Sequence, residues 1–407
     1  AVEVTVSRDR VVFDLSGTDR QVDAPWNAPY SVTLSAVYFA LRAMTDNRVN
    51  ISGIGGPLCE SQGLVILFPM RVLALIGIAE VVPHLPRILY RMNQTADKIR
   101  ETKPDLVVTV DAPSFTLRVA KKLRGSGIPI VHYVAPQAWA WRAGRAKTLG
   151  QRVDHLMALL PFEVDFFAKH GLPTTYVGHP AIESAMAGDG KAFRDVHAIA
   201  DTAPLLCVVP GSRNSEVRRM LPVFAEAVAL LSERYRDLQI VIPVAPNVAE
   251  TVGAQTRDWP LPVLHVTNPA ERFDAFAASD VAMAKSGTVT LELGLARVPM
   301  AVAYRVSALT AFIVRRMPIA VKYASLVNLL ADREVVPELL QEECSAPAVA
   351  EKVANLLGSP EARAAQQEGF AEVLQVLGDV DPPPSRRAAK VVLDLIAKGS
   401  AENKPGN

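Results

Sequence analysis

The chain has 407 residues, half of them apolar and 21% charged, with a formal net charge of +1. That length accommodates two or three domains, and that apolar content excludes a globally disordered chain. The balanced charge argues against a general nucleic-acid binder, which would carry a basic excess. Cys59, Cys207 and Cys344 lie far apart, and the seven histidines include no H-x-x-x-H pair. Buried thiols in a reducing compartment are expected, with no metal site.

Residues 1–15 lack the basic start and apolar core of a secretory signal. Residues 1–22 alternate like exposed β-strands rather than like a buried parallel strand. The most apolar window, residues 64–82, is interrupted by Pro69, Arg71 and Glu80, so no membrane span is expected there. From about residue 49 short β-rich runs alternate with helical patterns. Strands are expected at 49–56, 105–113, 128–136, 153–161 and 174–180, with helices such as 114–124 and 162–170 between them. Continuous apolar strands separated by amphipathic helices point to parallel sheets covered on both faces.

A polar stretch at 187–204 breaks this rhythm and marks a domain boundary. The alternation restarts with strands at 205–212, 238–246, 261–269, 280–287 and 298–306, and helices at 220–235, 270–279 and 288–296. The expected architecture is α/β, with two doubly wound Rossmann-like domains facing a cleft. Residues 1–186 form the N-terminal domain, of which 1–40 are atypical, and 187–204 form a linker. Residues 205–358 form the C-terminal domain. Residues 359–399 form helices that pack back on the N-terminal domain, and 400–407 are a tail. Ligands of such sheets bind at the carboxyl ends of the strands.

Two strand-to-helix turns in the C-terminal domain carry chemistry. In "VVPGSR" an apolar strand stops at Pro210, and Gly211, Ser212 and Arg213 lead into a helix. Glycine lets backbone N–H groups approach a ligand, and a guanidinium fork matches phosphate oxygens. The same residues also fit a plain surface turn with a solvated arginine. In "AKSGTVTLE", Ser286, Gly287 and Thr288 open a second helix, and Glu292 follows about one turn later, where a carboxylate could accept ribose hydroxyls. Thr288 could equally be a helix cap, and Glu292 an ordinary surface residue. Two such turns in one domain favour a nucleotide diphosphate site. No G-x-x-x-x-G-K-[ST] run indicates a P-loop.

In the N-terminal domain Asp111 closes an apolar strand, where a carboxylate can act as a base to a hydroxyl or cap the next helix. Trp139 and Trp141, with Arg142 behind them, could face an anionic amphiphile or be structural. His132 and His179 fit polar core positions as well as ligand roles. The segment 66–92 is apolar with a basic fringe that includes Arg87 and Arg91. It suits either a buried helix pair or contact with a membrane surface and acyl chains.

The motifs "GIGGP", "VDAPSF", "HYVAPQAWAWR", "LPFE", "VGHP", "PGSR" followed by "EV", "SGTVTLE" and the long stretch 323–344 resemble, in order, those of the lipid-A-disaccharide synthase family. The resemblance runs from about Leu41 to residue 358 and implies a GT-B fold. It also implies an inverting transfer of 2,3-diacylglucosamine from its UDP derivative to the 6-hydroxyl of 2,3-diacylglucosamine 1-phosphate, giving a β-1,6-linked disaccharide phosphate. No cofactor, metal or covalent intermediate is implied.

On this resemblance Asp111 is the base or an essential cleft carboxylate. Arg213, Gly211, Ser212, Ser286, Gly287 and Thr288 stabilise departing UDP, and Glu292 holds ribose. Asn328, Gln341 and Glu342 lie at the nucleotide or donor sugar. His132, Trp139, Trp141, Arg142, Arg87 and Arg91 belong to the acceptor and lipid side. The enzyme would be cytoplasmic, peripheral on the inner-membrane face, and its apolar C-terminal region is compatible with a homodimer.

The family's first strand and its "G-E-x-S-G-D" loop have no counterpart at residues 23–44. A shifted reading frame or a misassigned start is expected over the first forty residues or so. A competing reading is therefore an inactive homologue that binds UDP-sugar or lipid. A UDP-sugar 2-epimerase of the same fold is a third, which leaves the Trp-rich and acyl-suited segments unexplained.

Overall fold

Two parallel sheets organise the chain. The computed structural model describes residues 3–7, 10–14, 44, 50–55, 59, 64–68, 78–136, 144–186, 188–306, 322–378 and 381–402. At the N-terminus β1 (Glu3–Ser7) and β2 (Arg10–Asp14) pair as an antiparallel hairpin. β3 (Ser52–Gly53) pairs in parallel with β4 (Val65–Ile66), so among the described residues two of the strand expected at 49–56 join a ladder. The N-terminal domain is built on β5 (Val107–Val110), β6 (Ile130–Tyr133), β7 (His155–Ala158) and β8 (Thr174–Tyr176), a parallel sheet in that order. One core packs Leu117, Ala120 and Leu123 of the helix Pro113–Leu123 with Val107, Ile130 and Leu156.

The C-terminal domain contains β9 (Leu205–Val209), β10 (Gln239–Pro243), β11 (Val263–Val266), β12 (Val281–Lys285), β13 (Met300–Tyr304) and β14 (Glu338–Leu340). All pairs are parallel and the order is β11-β10-β9-β12-β13-β14. The chain winds outward from β9 to one edge, returns to β12, and winds outward to the other edge. The order therefore reverses between β9 and β12, and the crevice at their carboxyl ends is the natural ligand position of this architecture.

Alternation along β9 feeds two cores. Leu206 and Val208 meet Val217, Met220 and Phe224 of the helix Asn214–Arg234. Leu205, Cys207 and Val209 join the opposite layer with Phe276, Leu291 and Leu293. Side chains buried this fully contribute about 1.5–3 kcal/mol each. The helix expected from residue 220 begins six residues earlier, at Asn214. Pro222 lies inside the helix, away from the first turn where proline is at home. Burial of Val217, Met220 and Leu221 on the sheet outweighs the lost hydrogen bond.

Within the expected linker, the described residues 188–204 are docked on the C-terminal domain. The helix Gly190–Val196 places buried Phe193 in the C-terminal core. Arg194 donates to the carbonyls of Ala278, Ala200 and Ala203 and to Asp280. Gly188 and Gly190 lie so close to the Phe273 and Ala277 carbonyls that a Cβ on either would overlap them. Small residues make that approach possible, which is why the segment looks unlike a core element in sequence.

The last helices divide. The helix Pro360–Leu377 brings Phe370, Val373 and Leu377 to the C-terminal core. The helix Pro384–Glu402 sets Ala388, Ala389 and Val392 against Val131, Tyr133, Met157 and Val177 of the N-terminal sheet. The return is fastened by Tyr176 Oη donating to the Leu377 carbonyl at 2.6 Å and by the Ser385 N–H and hydroxyl donating to Glu183.

Candidate active site

Asp111 directly follows β5, at the carboxyl end of the N-terminal sheet. Its backbone is left-handed at φ 40°, as are Ala112 at 43° and the neighbouring Val134 at 77°. For a β-branched residue such as Val134 this is a strained conformation, and such positions cost about 1–3 kcal/mol each and gather at functional sites. The bend is held by Asp111 N–H donating to the Tyr133 carbonyl at 3.0 Å and by Thr116 Oγ1 donating to the Asp111 carbonyl at 2.6 Å. The residue lies half-buried just past the β5 ladder. Burial raises its pKa above the ordinary carboxylate value; the Ala112 N–H and then the Arg213 guanidinium oppose the rise.

Arg213 belongs to the other domain. It is the extended residue before the helix Asn214–Arg234, with its side chain 56% exposed. Gly211 precedes it at φ 116°, a conformation suited to glycine, and a Cβ there would lie 2.8 Å from Glu216 Oε2. Arg213 Nη1 donates to Glu216 Oε1 at 2.8 Å, and Lys285 Nζ reaches the same oxygen at 3.1 Å. Burial alone would raise the Glu216 pKa, but Lys285 and then Arg213 overcome it and hold the carboxyl below its usual value.

Lys285 ends β12, next in register to the end of β9, where Ala284 pairs with Val209. Ser286 follows, buried, its hydroxyl donating to the Ala324 carbonyl at 2.8 Å. Gly287 is extended, and Thr288 opens the helix Thr288–Leu295. The two turns expected to hold phosphate therefore flank one crevice, at the point where the strand order reverses.

The other expected residues are distributed unevenly. Glu292 is no surface residue: it is buried and ion-paired with Arg272, and burial raises its pKa against the opposing pull of that arginine. A ribose at Glu292 would have to share its carboxylate with Arg272. Asn328 differs more sharply from expectation. It is fully buried, its Oδ1 accepts from the N–H groups of Val335 and Val336, and its Nδ2 donates to the Val336 carbonyl and Glu338. Its amide ties a loop to β14 and has no capacity left for a nucleotide. Gln341 follows β14 with φ 51°, and its N–H donates to the Tyr304 carbonyl. Exposed Glu342 comes next, so both stand at the carboxyl edge of the same sheet.

His132 lies on β6, fully buried, with Nδ1 2.8 Å from Thr109 Oγ1. Burial depresses its pKa to about 4, so it is neutral at physiological pH. His179 is likewise buried with its pKa lowered to about 4 by desolvation, and its Nδ1 accepts from the Ala181 N–H. Arg91 lies in the helix Ile78–Thr102 with its guanidinium 4.7 Å from the Phe68 ring centre, and Nη1 donates to Gln94 at 2.6 Å. Arg87 is exposed in the same helix among exposed Leu85, Leu89 and Tyr90. Trp139, Trp141 and Arg142 lie outside the described residues.

Sequence reasoning passed over Glu216 and Lys285. Their signals were present: a carboxylate three residues past Arg213, and a cation at the last position of a strand otherwise made of Val, Ala and Met. Among the described residues no helix is long and apolar enough to cross a membrane.

The family model for lipid-A-disaccharide synthetase matches residues 33–389. A second model, for hydantoinase B/oxoprolinase, matches residues 1–58, which a shifted reading frame does not account for. A lipid-A-disaccharide synthase of Rhodospirillum centenum is 49% identical over 370 residues, covering 90% of this chain and 92% of the relative. One from Gluconobacter oxydans is 47% identical over 358 residues, covering 88% and 86%. Among solved structures, a UDP-GlcNAc 2-epimerase from Neisseria meningitidis bound to UDP-GlcNAc is similar at TM-score 0.58 and 13% identity, over 91% of this chain and 97% of that one. MurG of Acinetobacter baumannii is similar at TM-score 0.53 and 17% identity, over 90% and 96%. These likenesses show a GT-B fold. The extent and identity of the sequence matches show that the chain belongs to the lipid-A-disaccharide synthase family of glycosyltransferases.

Proposed function

We propose that the chain transfers 2,3-diacylglucosamine from UDP-2,3-diacylglucosamine to the 6-hydroxyl of 2,3-diacylglucosamine 1-phosphate, with inversion at the anomeric carbon. The observation that carries this reading is the pairing of roles across the domains. Asp111, a carboxyl group of raised pKa at a strained strand end, lies within the field of Arg213 at the helix start that follows β9. A base on one side and a leaving-group cation on the other suit an in-line displacement. The acceptor hydroxyl loses its proton to Asp111 as its oxygen attacks the anomeric carbon. The breaking C–O bond leaves its electron pair on UDP, whose diphosphate is met by Arg213 and the N–H groups of the two turns. The reaction takes place at the cytoplasmic face of the inner membrane, where Leu85, Leu89 and Tyr90, with Arg87 beside them, suit a lipid surface.

The test is to incubate the chain with both substrates in detergent and to measure UDP release and the disaccharide product. Turnover that Asp111→Ala abolishes supports the reading. UDP binding without turnover supports the inactive homologue instead, a reading favoured by residues 1–58 matching another family where the Gly-rich loop is absent.

A further inference from the structure

The crevice between β9 and β12 holds a cluster of three charges. Arg213 and Lys285 share one oxygen of Glu216, at 2.8 and 3.1 Å. The Lys285 and Glu216 side chains are only 13% and 10% exposed. Both turns lean on this cluster. A Cβ on Gly211 would press on the Glu216 carboxylate, and one on Gly287 would lie 3.4 Å from Lys285 Nζ. The ammonium also lies 4.8 Å from the centre of the Tyr304 ring, at the end of β13.

A desolvated ion pair is a poor way to stabilise a fold, since apolar residues of similar volume often serve as well or better. Its position is informative. It lies at the strand ends, where the order reverses, and not in the middle of a core. Two cations on one carboxylate leave a surplus positive charge, which an anion in the crevice would complete.

We propose that Lys285 is a second cation for the diphosphate leaving group, and that Glu216 is the positioning residue that holds Lys285 and Arg213 toward the crevice between β9 and β12. The inference rests on the UDP-donor reading above. As the anomeric C–O bond breaks, its electron pair passes to the β-phosphate oxygen of UDP. The ammonium and the guanidinium neutralise that charge, and no proton needs to follow it. Burial lowers the Lys285 pKa and Glu216 opposes the fall. The groups around Lys285 are Glu216, Arg213 and Tyr304, with Arg219 acting on Tyr304. Removing the Glu216 charge therefore lets Lys285 lose its proton at lower pH.

The experiment measures UDP affinity by calorimetry, uridine affinity by competition, and donor kcat/KM against pH, on the full chain and on Lys285→Met, Lys285→Arg, Glu216→Gln and Arg213→Gln. Lys285→Met should lose about 10–100-fold in UDP affinity, the scale of one charge-assisted contact, and keep its uridine affinity. Lys285→Arg should recover most of the loss, and Glu216→Gln should move the alkaline limb of kcat/KM to lower pH. Equal losses for UDP and uridine in Lys285→Met, no loss of either, or an unmoved alkaline limb in Glu216→Gln would each overturn the proposal. Arg213→Gln separates it from the reading beneath. If that variant binds UDP as tightly as the parent, the donor site itself is misassigned and both fail. If Arg213→Gln weakens UDP and Lys285→Met does not, only the role of Lys285 fails.

Discussion

Arg213, at the start of the helix that follows β9 in the C-terminal domain, opposes the rise that burial imposes on the pKa of Asp111, which follows β5 in the N-terminal domain. The two halves of the cleft are thus electrostatically coupled. Burial drives the Asp111 carboxyl up, and the guanidinium across the cleft holds part of that rise back.

Replacing Arg213 by Gln should therefore act twice. Loss of leaving-group stabilisation should lower kcat/KM by about 10²–10³. Loss of the guanidinium field lets the Asp111 pKa rise further, so the acid limb of the kcat/KM profile should move to higher pH. A pH series on parent and variant measures both. A lower rate with an unmoved acid limb would separate Asp111 from the titrating base.

Asp111→Asn should abolish turnover without lowering thermal stability near neutral pH. A carboxyl group whose folded pKa is raised opposes folding once it ionises, so stability is lost as pH rises through the folded value. The amide never ionises and removes that cost. Asparagine also tolerates the left-handed φ of 40°. Melting curves from about pH 4 to pH 8, spanning the carboxylate range, should show the variant gaining on the parent toward the alkaline end.

Gly211→Ala should damage the donor site and the fold together. Its Cβ would lie 2.8 Å from Glu216 Oε2, on a backbone at φ 116°. The expected loss is about 1–3 kcal/mol of stability, with weaker UDP binding as Glu216 and its two cations are displaced. Urea unfolding and calorimetry measure the two effects. An unchanged UDP affinity would show that this carboxylate is not held by the turn.

Asn328→Ala should behave as a structural change. It strands the N–H groups of Val335 and Val336 and a hydrogen bond to Glu338. Buried groups left unpaired cost about 1–3 kcal/mol. Protein that remains folded should keep its donor KM; a raised KM at full stability would return Asn328 to the nucleotide.

Much of this was legible in the residues. The strand, glycine turn and helix around Gly211 are local features, as are those around Gly287, and pattern carries them. So is the carboxylate at the end of the apolar run before Asp111. What pattern could not carry depends on register. Glu216 and Lys285 are 69 positions apart and meet because β9 and β12 are adjacent, a consequence of the reversal in strand order. Glu292 read as a free ribose acceptor because Arg272, which covers it, arrives from another helix. Asn328 read as a ligand because a polar residue in a shared motif gives no sign of whether its amide is spent inside. The segment 187–204 read as a linker because it is polar, and the glycines through which it docks, Gly188 and Gly190, add no apolar signal.

Among the described residues the polypeptide passes between the two domains twice. It crosses once after β8 and again between the helices Pro360–Leu377 and Pro384–Glu402. The crossings run side by side, with Tyr176 bonded to the Leu377 carbonyl and a Cβ on Gly178 only 2.9 Å from Pro384. A single tether would let one body swivel about the other in any sense. A double tether resists twisting and leaves bending about its own line as the soft motion. Such a linkage favours motions that change the gap between Asp111 and Arg213 over motions that turn one past the other.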